Sequence, residues 1–202
     1  MRVAAPDGFT ALFLCSRLGK LKQKYPALTI QMVPMSRTFS LSKREADLAI
    51  TISRPEEGRL AVRKLIDYSL RFYAAKSYLA EFGTPQTVAD LERHCLVTYV
   101  QDLVFADQLY FMPELYGPGY SRLECSGAVG QLQAVRGGAG IGILHDYAAR
   151  HDENLQVVLP DTVFARSYWI ITHVDMRRLS RVRAVSDFIS AEVGAQRSMF
   201  LA

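Results

Sequence analysis

The spacing of apolar residues changes period along the chain, and each change marks an element. Residues 2–5 form a short apolar strand, closed by the turn Pro6-Asp7-Gly8. A helix over residues 9–24 follows. Its first half is apolar on nearly every side, with Phe9, Ala11, Leu12, Phe13, Leu14, Cys15 and Leu18. A surface helix needs one apolar stripe, so this pattern predicts burial on two sides, one against a sheet and one against a partner chain. Residues 28–33 and 47–52 read as the second and third strands, separated by a loop at 34–40 and a short helix at 41–45.

Beyond a loop at 53–58, two apolar runs at 60–66 and 69–75 predict two strands split at Asp67-Tyr68. Short helices are expected at 76–82 and 87–93, the second capped by Thr87 with Asp90 three residues on. A strand at 96–99 precedes an aromatic-rich stretch, 100–120, with no clear period. Residues 123–147 then read as strand, helix, strand, with Ser126 as the expected N-cap and Ala128, Leu132 and Val135 on one face. A short helix at 145–150 and strands at 155–159 and 167–173 follow, the first of them ended by Pro160. The last helix, 179–193, puts Leu179, Val182, Val185, Phe188 and Ile189 on one face. Strands alternating with helices at this spacing predict an α/β fold with parallel βαβ units.

The glycines at 137, 138, 140 and 142 suggest a nucleotide loop, but they run in the wrong direction. A phosphate-binding loop leads from a strand into a helix, where free N–H groups meet the phosphate. These glycines lead from a helix into the apolar run 141–144. The anion-compatible end is the other one, at Ser126-Gly127-Ala128.

Composition narrows the rest. The chain has 202 residues, 50% of them hydrophobic, enough for one domain or two small lobes. Lys plus Arg number 24 and Asp plus Glu 20, a net charge of +4. The nearest approach to a basic run is Arg177, Arg178, Arg181 and Arg183, read as a solvated helix face. The three cysteines, Cys15, Cys95 and Cys125, form no Cys-x-x-Cys pair, which fits a reducing, cytoplasmic setting. No apolar run is long enough to suggest a membrane span. Cys15, in an apolar helix, is expected to be buried and inert. The histidines show no metal-ligand spacing and no catalytic signature occurs, so neither a metal, a cofactor nor an enzymatic role is expected.

Four segments resemble the effector-binding domain of LysR-type transcriptional regulators, in order along the whole chain. They are Arg2-Val-Ala-Ala-Pro-Asp-Gly-Phe9, the stretch 41–50 (LSKREADLAI), the stretch 134–144 (AVRGGAGIGIL) and the stretch 179–189 (LSRVRAVSDFI). The resemblance implies two Rossmann-like lobes joined by two crossover strands, an arrangement like that of periplasmic binding proteins. Lobe I would hold residues 1–74 and 175–202, and lobe II residues 75–174. It also implies a small-molecule effector in the inter-lobe cleft, homodimers through the first helix, a higher homo-oligomer for a full-length protein, and DNA binding through an N-terminal domain. The chain enters a strand directly after Met1, so it is expected to be a domain cut from such a protein. Where the family pattern usually has proline after the strand 141–144, this chain has His145.

The expected effector contacts are Asp7, Gly8 and Phe9; Met35, Ser36 and Arg37; Ser126, Gly127 and Ala128; and His145 and Asp146, with Ser53 and Tyr99 near the crossovers. Two helix starts there offer free N–H groups and a positive dipole end, which favours a carboxylate or polar oxygen, and the expected effector is a carboxylate or an aromatic metabolite. The competing readings are a small α/β enzyme and a solute-binding protein of the same architecture.

Overall fold

In a computed structural model, residues 1–35, 45–55, 57–104 and 106–201 are described. The chain divides into two compact units. Unit 1 holds Met1–Asp67 and Ser167–Phe200; unit 2 holds Tyr68–Arg166 and the C-terminal Leu201–Ala202.

Unit 1 is built on β1 (Arg2–Ala5), β2 (Gln31–Pro34) and β3 (Leu48–Thr51). β1 lies parallel to both neighbours, Ala5 opposite Pro34 on one side and Ala4 opposite Ala49 on the other. β3 pairs antiparallel with the last part of β8 (Leu155–His173), from Trp169 to Ile171. One continuous helical run follows β1: α1 (Asp7–Phe9), a π-type turn (Thr10–Leu14), a 3-10 turn (Cys15–Arg17) and α2 (Leu18–Lys24). The wider turn rotates the downstream face, so that Phe9, Phe13, Leu14 and Leu21 are buried while Ala11 and Cys15 are exposed. Cys15 is therefore at the surface, against the expectation that it is buried. Leu14 belongs to the core of the unit itself and is not free for a partner chain. α6 (Ser180–Ala195) buries Val182, Val185, Ile189 and Val193, the heptad-like stripe that its sequence shows. Phe9 sits at the centre of this core. Its ring lies 5.4 Å from Phe13, 4.8 Å from Tyr168 and 6.5 Å from Phe200, the last on α7 (Arg197–Phe200). Tilted ring pairs at these distances add to the area that each ring buries.

Unit 2 has the strand order β4-β7-β5-β6. β5 (Cys95–Tyr99) is parallel to β6 (Ser121–Cys125) and β7 (Ile141–His145); β4 (Leu60–Ala75) runs antiparallel to β7. α3 (Lys76–Phe82) follows β4, and a 3-10 helix, Val88–Arg93, takes the place of the second short helix. Thr87 and Asp90 close a full capping box there. α4 (Ala128–Arg136) packs on the sheet through Ala128, Leu132, Val135 and also Gln131, which its polarity had placed off the stripe. The glycines after α4 serve that packing. A Cβ on Gly142 would stand 2.8 Å from Val135 Cγ2, and one on Gly140 would stand 2.1 Å from the Cys95 carbonyl oxygen. Close approach to α4 at Gly142 and to β5 at Gly140, and the end of α4 at Gly137 and Gly138 (φ +80°), explain them without a phosphate.

Three boundaries differ from the sequence pattern. The two runs at 60–66 and 69–75 are one strand of 16 residues, and β8 is one strand of 19 residues that passes through Pro160. Asp67 does not break β4, because its carboxylate is occupied by Lys64 at 2.6 Å and by the Ser167 hydroxyl at 2.5 Å. Pro160 is accommodated after Leu159, which takes a left-handed φ of +51°. β2 begins at Gln31, later than the apolar run suggests. The loop at 36–40 and the short helix at 41–45 lie outside the described residues, save Glu45.

Candidate effector site

The parallel strands of each unit end side by side, and the expected contact residues fall at those ends. In unit 1, Asp7, Gly8 and Phe9 follow β1, Met35 follows β2, and Ser53 follows β3. Asp7 is half-buried, Gly8 and Phe9 are buried, and Phe9 is enclosed by Phe13 and Tyr168. Its ring thus serves the core of unit 1 rather than forming an open pocket wall. Met35 donates its N–H to the Ala5 carbonyl at 3.2 Å and packs beside Ala4, Ala49 and Ile171. The Ser53 carbonyl accepts the Thr51 hydroxyl at 2.7 Å. Ser36 and Arg37 lie outside the described residues.

In unit 2, Tyr99 ends β5, Ser126, Gly127 and Ala128 follow β6, and His145 and Asp146 stand where β7 meets α5 (Asp146–Ala149). Tyr99 is opposite Cys125 in the ladder, so the β5 and β6 ends are in register. The N-cap of α4 is Gly127 in an extended conformation; Ser126 is one residue outside and its hydroxyl caps nothing. No side chain caps α4 and its first turn holds no acid, so the positive end of a nine-residue helix is left without a counter-charge from its own first turn.

Asp146 is fully buried, at 0% exposure. Its carboxylate accepts the Ser69 hydroxyl at 2.5 Å and the Tyr73 hydroxyl at 2.6 Å, and Arg71 Nε stands 3.7 Å away. All three partners come from β4. A buried carboxylate is tolerable only with such partners. Burial, and then the bond to Asp146, pushes the Tyr73 phenol far above its usual value, so that it stays a donor. Arg71 Nε is itself buried and has no hydrogen-bond acceptor among the described residues. The guanidinium is thus anchored by charge on one side, with hydrogen-bonding capacity left over. His145 is 8% exposed, with its ring 5.5 Å from Tyr68 in a stack and 5.0 Å from Tyr147. Burial pushes its pKa down to about 4, so its imidazole is neutral and apolar in character near neutral pH. Its ring packs as an aromatic filler between Tyr68 and Tyr147 and is buried, where its place in the sequence suggested an open histidine.

Sequence reasoning missed Ser69, Arg71 and Tyr73. A signal existed, since Arg71 is a single charge inside the apolar run 70–75, and an arginine in a buried strand needs a partner. Among the described residues no three His, Cys, Asp or Glu side chains converge as a metal site, and no helix is long and apolar enough to cross a membrane. The Cys125 thiol is pushed up by burial, which makes it a poor nucleophile.

The profile of the LysR substrate binding domain family matches residues 1–194. Among curated proteins, the probable HTH-type transcriptional regulator LtrA of Klebsiella pneumoniae is 26% identical over 182 residues, which is 85% of this chain and 59% of that protein. The HTH-type transcriptional regulator CrgA of Neisseria meningitidis serogroup C is 32% identical over 78 residues, 38% of this chain and 26% of its own. The chain spans less than two thirds of either relative. In fold it is similar to the CrgA regulatory domain from Neisseria meningitidis, with a TM-score of 0.84 at 21% identity over 96% of this chain and 98% of that one. It is similar also to the effector domain of AmpR of Pseudomonas aeruginosa, with a TM-score of 0.74 at 18% identity over 98% and 97%. With a family match running from the first strand through α6, the chain belongs to the LysR substrate-binding domain family of transcriptional regulators.

Proposed function

We propose that this domain senses a small-molecule effector for a LysR-type regulator, and that polar recognition is carried by the carboxyl edge of unit 2. The observation that supports this most directly is Arg71. Its guanidinium is held by the buried Asp146, yet Nε has no hydrogen-bond acceptor among the described residues. The uncapped start of α4 at Gly127 follows a strand of the same sheet. A guanidinium and a helix N-terminus both favour a carboxylate, and ligands of open α/β sheets bind outside the carboxyl ends of the strands. Asp7, Met35, Ser53 and the undescribed Ser36 and Arg37 are the contacts assigned to unit 1. The Asp7 carboxylate disfavours an anion close to it, so the effector's charge is assigned to Arg71, and the start of α4 at Gly127, across β7 and β5 from it, to a further polar group of the effector.

The domain itself carries out no chemistry in this reading. DNA contact belongs to a segment of the full-length protein outside residues 1–202, assembly is a homodimer or a higher homo-oligomer, and the setting is the cytoplasm. The half-buried Leu12 and Leu18, with the exposed Ala11 and Cys15, leave an apolar flank on the first helix that supports pairing. The experiment is a thermal-shift screen of small carboxylates and aromatic metabolites, followed by calorimetry on Arg71→Ala and Ser126→Gly. A ligand that binds only the folded state raises the melting temperature. Arg71→Ala should weaken the best ligand by about tenfold or more, the loss of one charge-assisted contact. Unchanged affinity in a folded Arg71→Ala protein would remove the assignment, and turnover of a ligand would favour the enzyme reading.

A further inference from the structure

Unit 1 contains a hollow of about 450 Å³ that no part of the effector reading uses. That volume is within the range of small-molecule sites, roughly 300–1,000 Å³. It lies along α6 and the unit 1 portions of β4 and β8, with Ile170 and Val182 as buried apolar lining. Thr172 also lines it. This residue is 7% exposed, and it brings a hydroxyl to the lining.

The charged walls point the same way. Arg63 donates to the Ser190 hydroxyl at 2.6 Å, and Ser190 in turn donates to the Ser186 carbonyl at 2.7 Å, so Arg63 is held in place. Arg177 and Arg183 line the hollow as well, and among the described residues neither has an acidic partner. Both also line a second, adjoining hollow with Arg178 and Val174. They stand at the start of α6, a helix of 16 residues whose first turn holds no acid and whose N-cap has no side-chain bond. Arg177 and Arg183 are exposed at this positive helix end, which favours an anion between them. Arg181, on the same turn, does find an acid, Asp47 at 3.9 Å. The wall has one acid of its own, Asp187, which opposes a second negative charge on a ligand.

We propose that this hollow is a second binding site, for a small organic acid whose carboxylate meets Arg177 and Arg183 and whose apolar body lies on Ile170 and Val182, with the Thr172 hydroxyl completing the polar contacts. The site is independent of the effector reading, since it lies within unit 1 and shares none of the residues that reading uses. The test uses this chain, isotope-labelled, titrated with hexanoate and, as a charge-only control, with inorganic phosphate, while the backbone amide signals of Ser180–Arg183 are followed. Hexanoate should give saturable shifts there, and phosphate should bind more weakly. The double variant Arg177→Ala, Arg183→Ala should raise the hexanoate Kd by about tenfold or more, and Thr172→Val, which keeps the shape and deletes the hydroxyl, by a few-fold, on the order expected for one neutral hydrogen bond. Thr172→Val and the single Arg177→Ala keep the question open to refutation if the double variant does not fold. Linear shifts that salt abolishes and phosphate reproduces would mean a solvated basic helix end and would overturn the proposal. Saturable shifts confined to residues around Arg71 and Ser126, and untouched by these variants, would overturn it equally and would belong to the effector site instead.

Discussion

His145 gives a sharp test of the unit 2 core, because its burial carries a pH signature. In the folded chain its pKa falls from 6.5 to about 4, with burial as the main cause and the Asp146 charge opposing it. The folded imidazole therefore stays neutral while the unfolded one takes a proton near its ordinary value. Between those two pKa values the unfolded state binds more protons, so stability falls as pH drops. The contribution is fully present above about pH 6.5 and is lost as pH passes down to about 4. A shift of about 2.5 units at about 1.4 kcal/mol per unit gives about 3 kcal/mol in all, of which about 2 kcal/mol is lost by about pH 5. The assay is urea unfolding at a series of pH values, for the wild-type chain and for His145→Phe, which keeps a ring between Tyr68 and Tyr147 and removes the titration. His94 is also lowered by burial and adds a loss of the same sign, and carboxylates titrate below it, so the difference between the two proteins is what isolates His145. That difference should shrink by about 2 kcal/mol from about pH 7.5 to about pH 5. Parallel stability curves for the two proteins would refute the burial argument.

The Asp146 network should be costly to break: Asp146→Ala leaves Ser69 and Tyr73 without their acceptor and Arg71 without its counter-charge, and should lose about 3–5 kcal/mol by urea unfolding, while Tyr73→Phe should lose about 1–3 kcal/mol. Gly142→Ala forces a methyl to within 2.8 Å of Val135 Cγ2, and about 1–3 kcal/mol of destabilisation is expected, read from the same curves. Leu14→Arg should unfold unit 1, because Leu14 is wholly buried within it, whereas Leu18→Arg should leave the fold standing and lower the association state seen by sedimentation. A monomeric mass for the unmutated chain at micromolar concentration would count against pairing.

Much of this was legible in the sequence where one residue or one stripe decides the outcome. Thr87 and Asp90 announce their cap, Val182, Val185 and Ile189 announce the buried face of α6, and the glycines at 137–142 declare by their direction that they are not a phosphate loop. What was illegible depends on residues distant in sequence. Asp67 looks like a strand breaker until Ser167, one hundred residues away, occupies its carboxylate. Pro160 looks like a strand end because the sequence does not show that a left-handed Leu159 precedes it. The π-type turn over Thr10–Leu14 changes which side of the helix faces the core, so Cys15 emerges although its neighbours are apolar. Ser126 fits the preference for a serine cap, and Gly127 takes the position because an extended glycine at the cap costs little.

The two units repeat one scheme, a central parallel strand between two parallel neighbours with a long antiparallel strand beside them, yet their carboxyl edges are built from different chemistry. In unit 1 the residues after β1 run into an aromatic core: Phe9 is spent on Phe13, Tyr168 and Phe200, and Gly8 is buried. In unit 2 the same edge holds a buried carboxylate, two hydroxyl donors and a guanidinium, three of those four groups on β4. A buried ionic cluster is a poor way to gain stability, since apolar residues of the same volume serve as well or better. Its presence is easier to understand as a means of fixing Arg71 in one orientation. Asp146→Asn separates the two accounts. It keeps an acceptor oxygen for one of Ser69 and Tyr73, turns an amide NH2 toward the other, and removes the charge beside Arg71 Nε. If the cluster is purely structural, the variant loses stability and leaves the affinity of any effector found by screening where it was. If Arg71 is held for a ligand, the affinity for an anionic effector changes while the affinity for a neutral analogue does not, and calorimetry on the folded variant reads the difference directly.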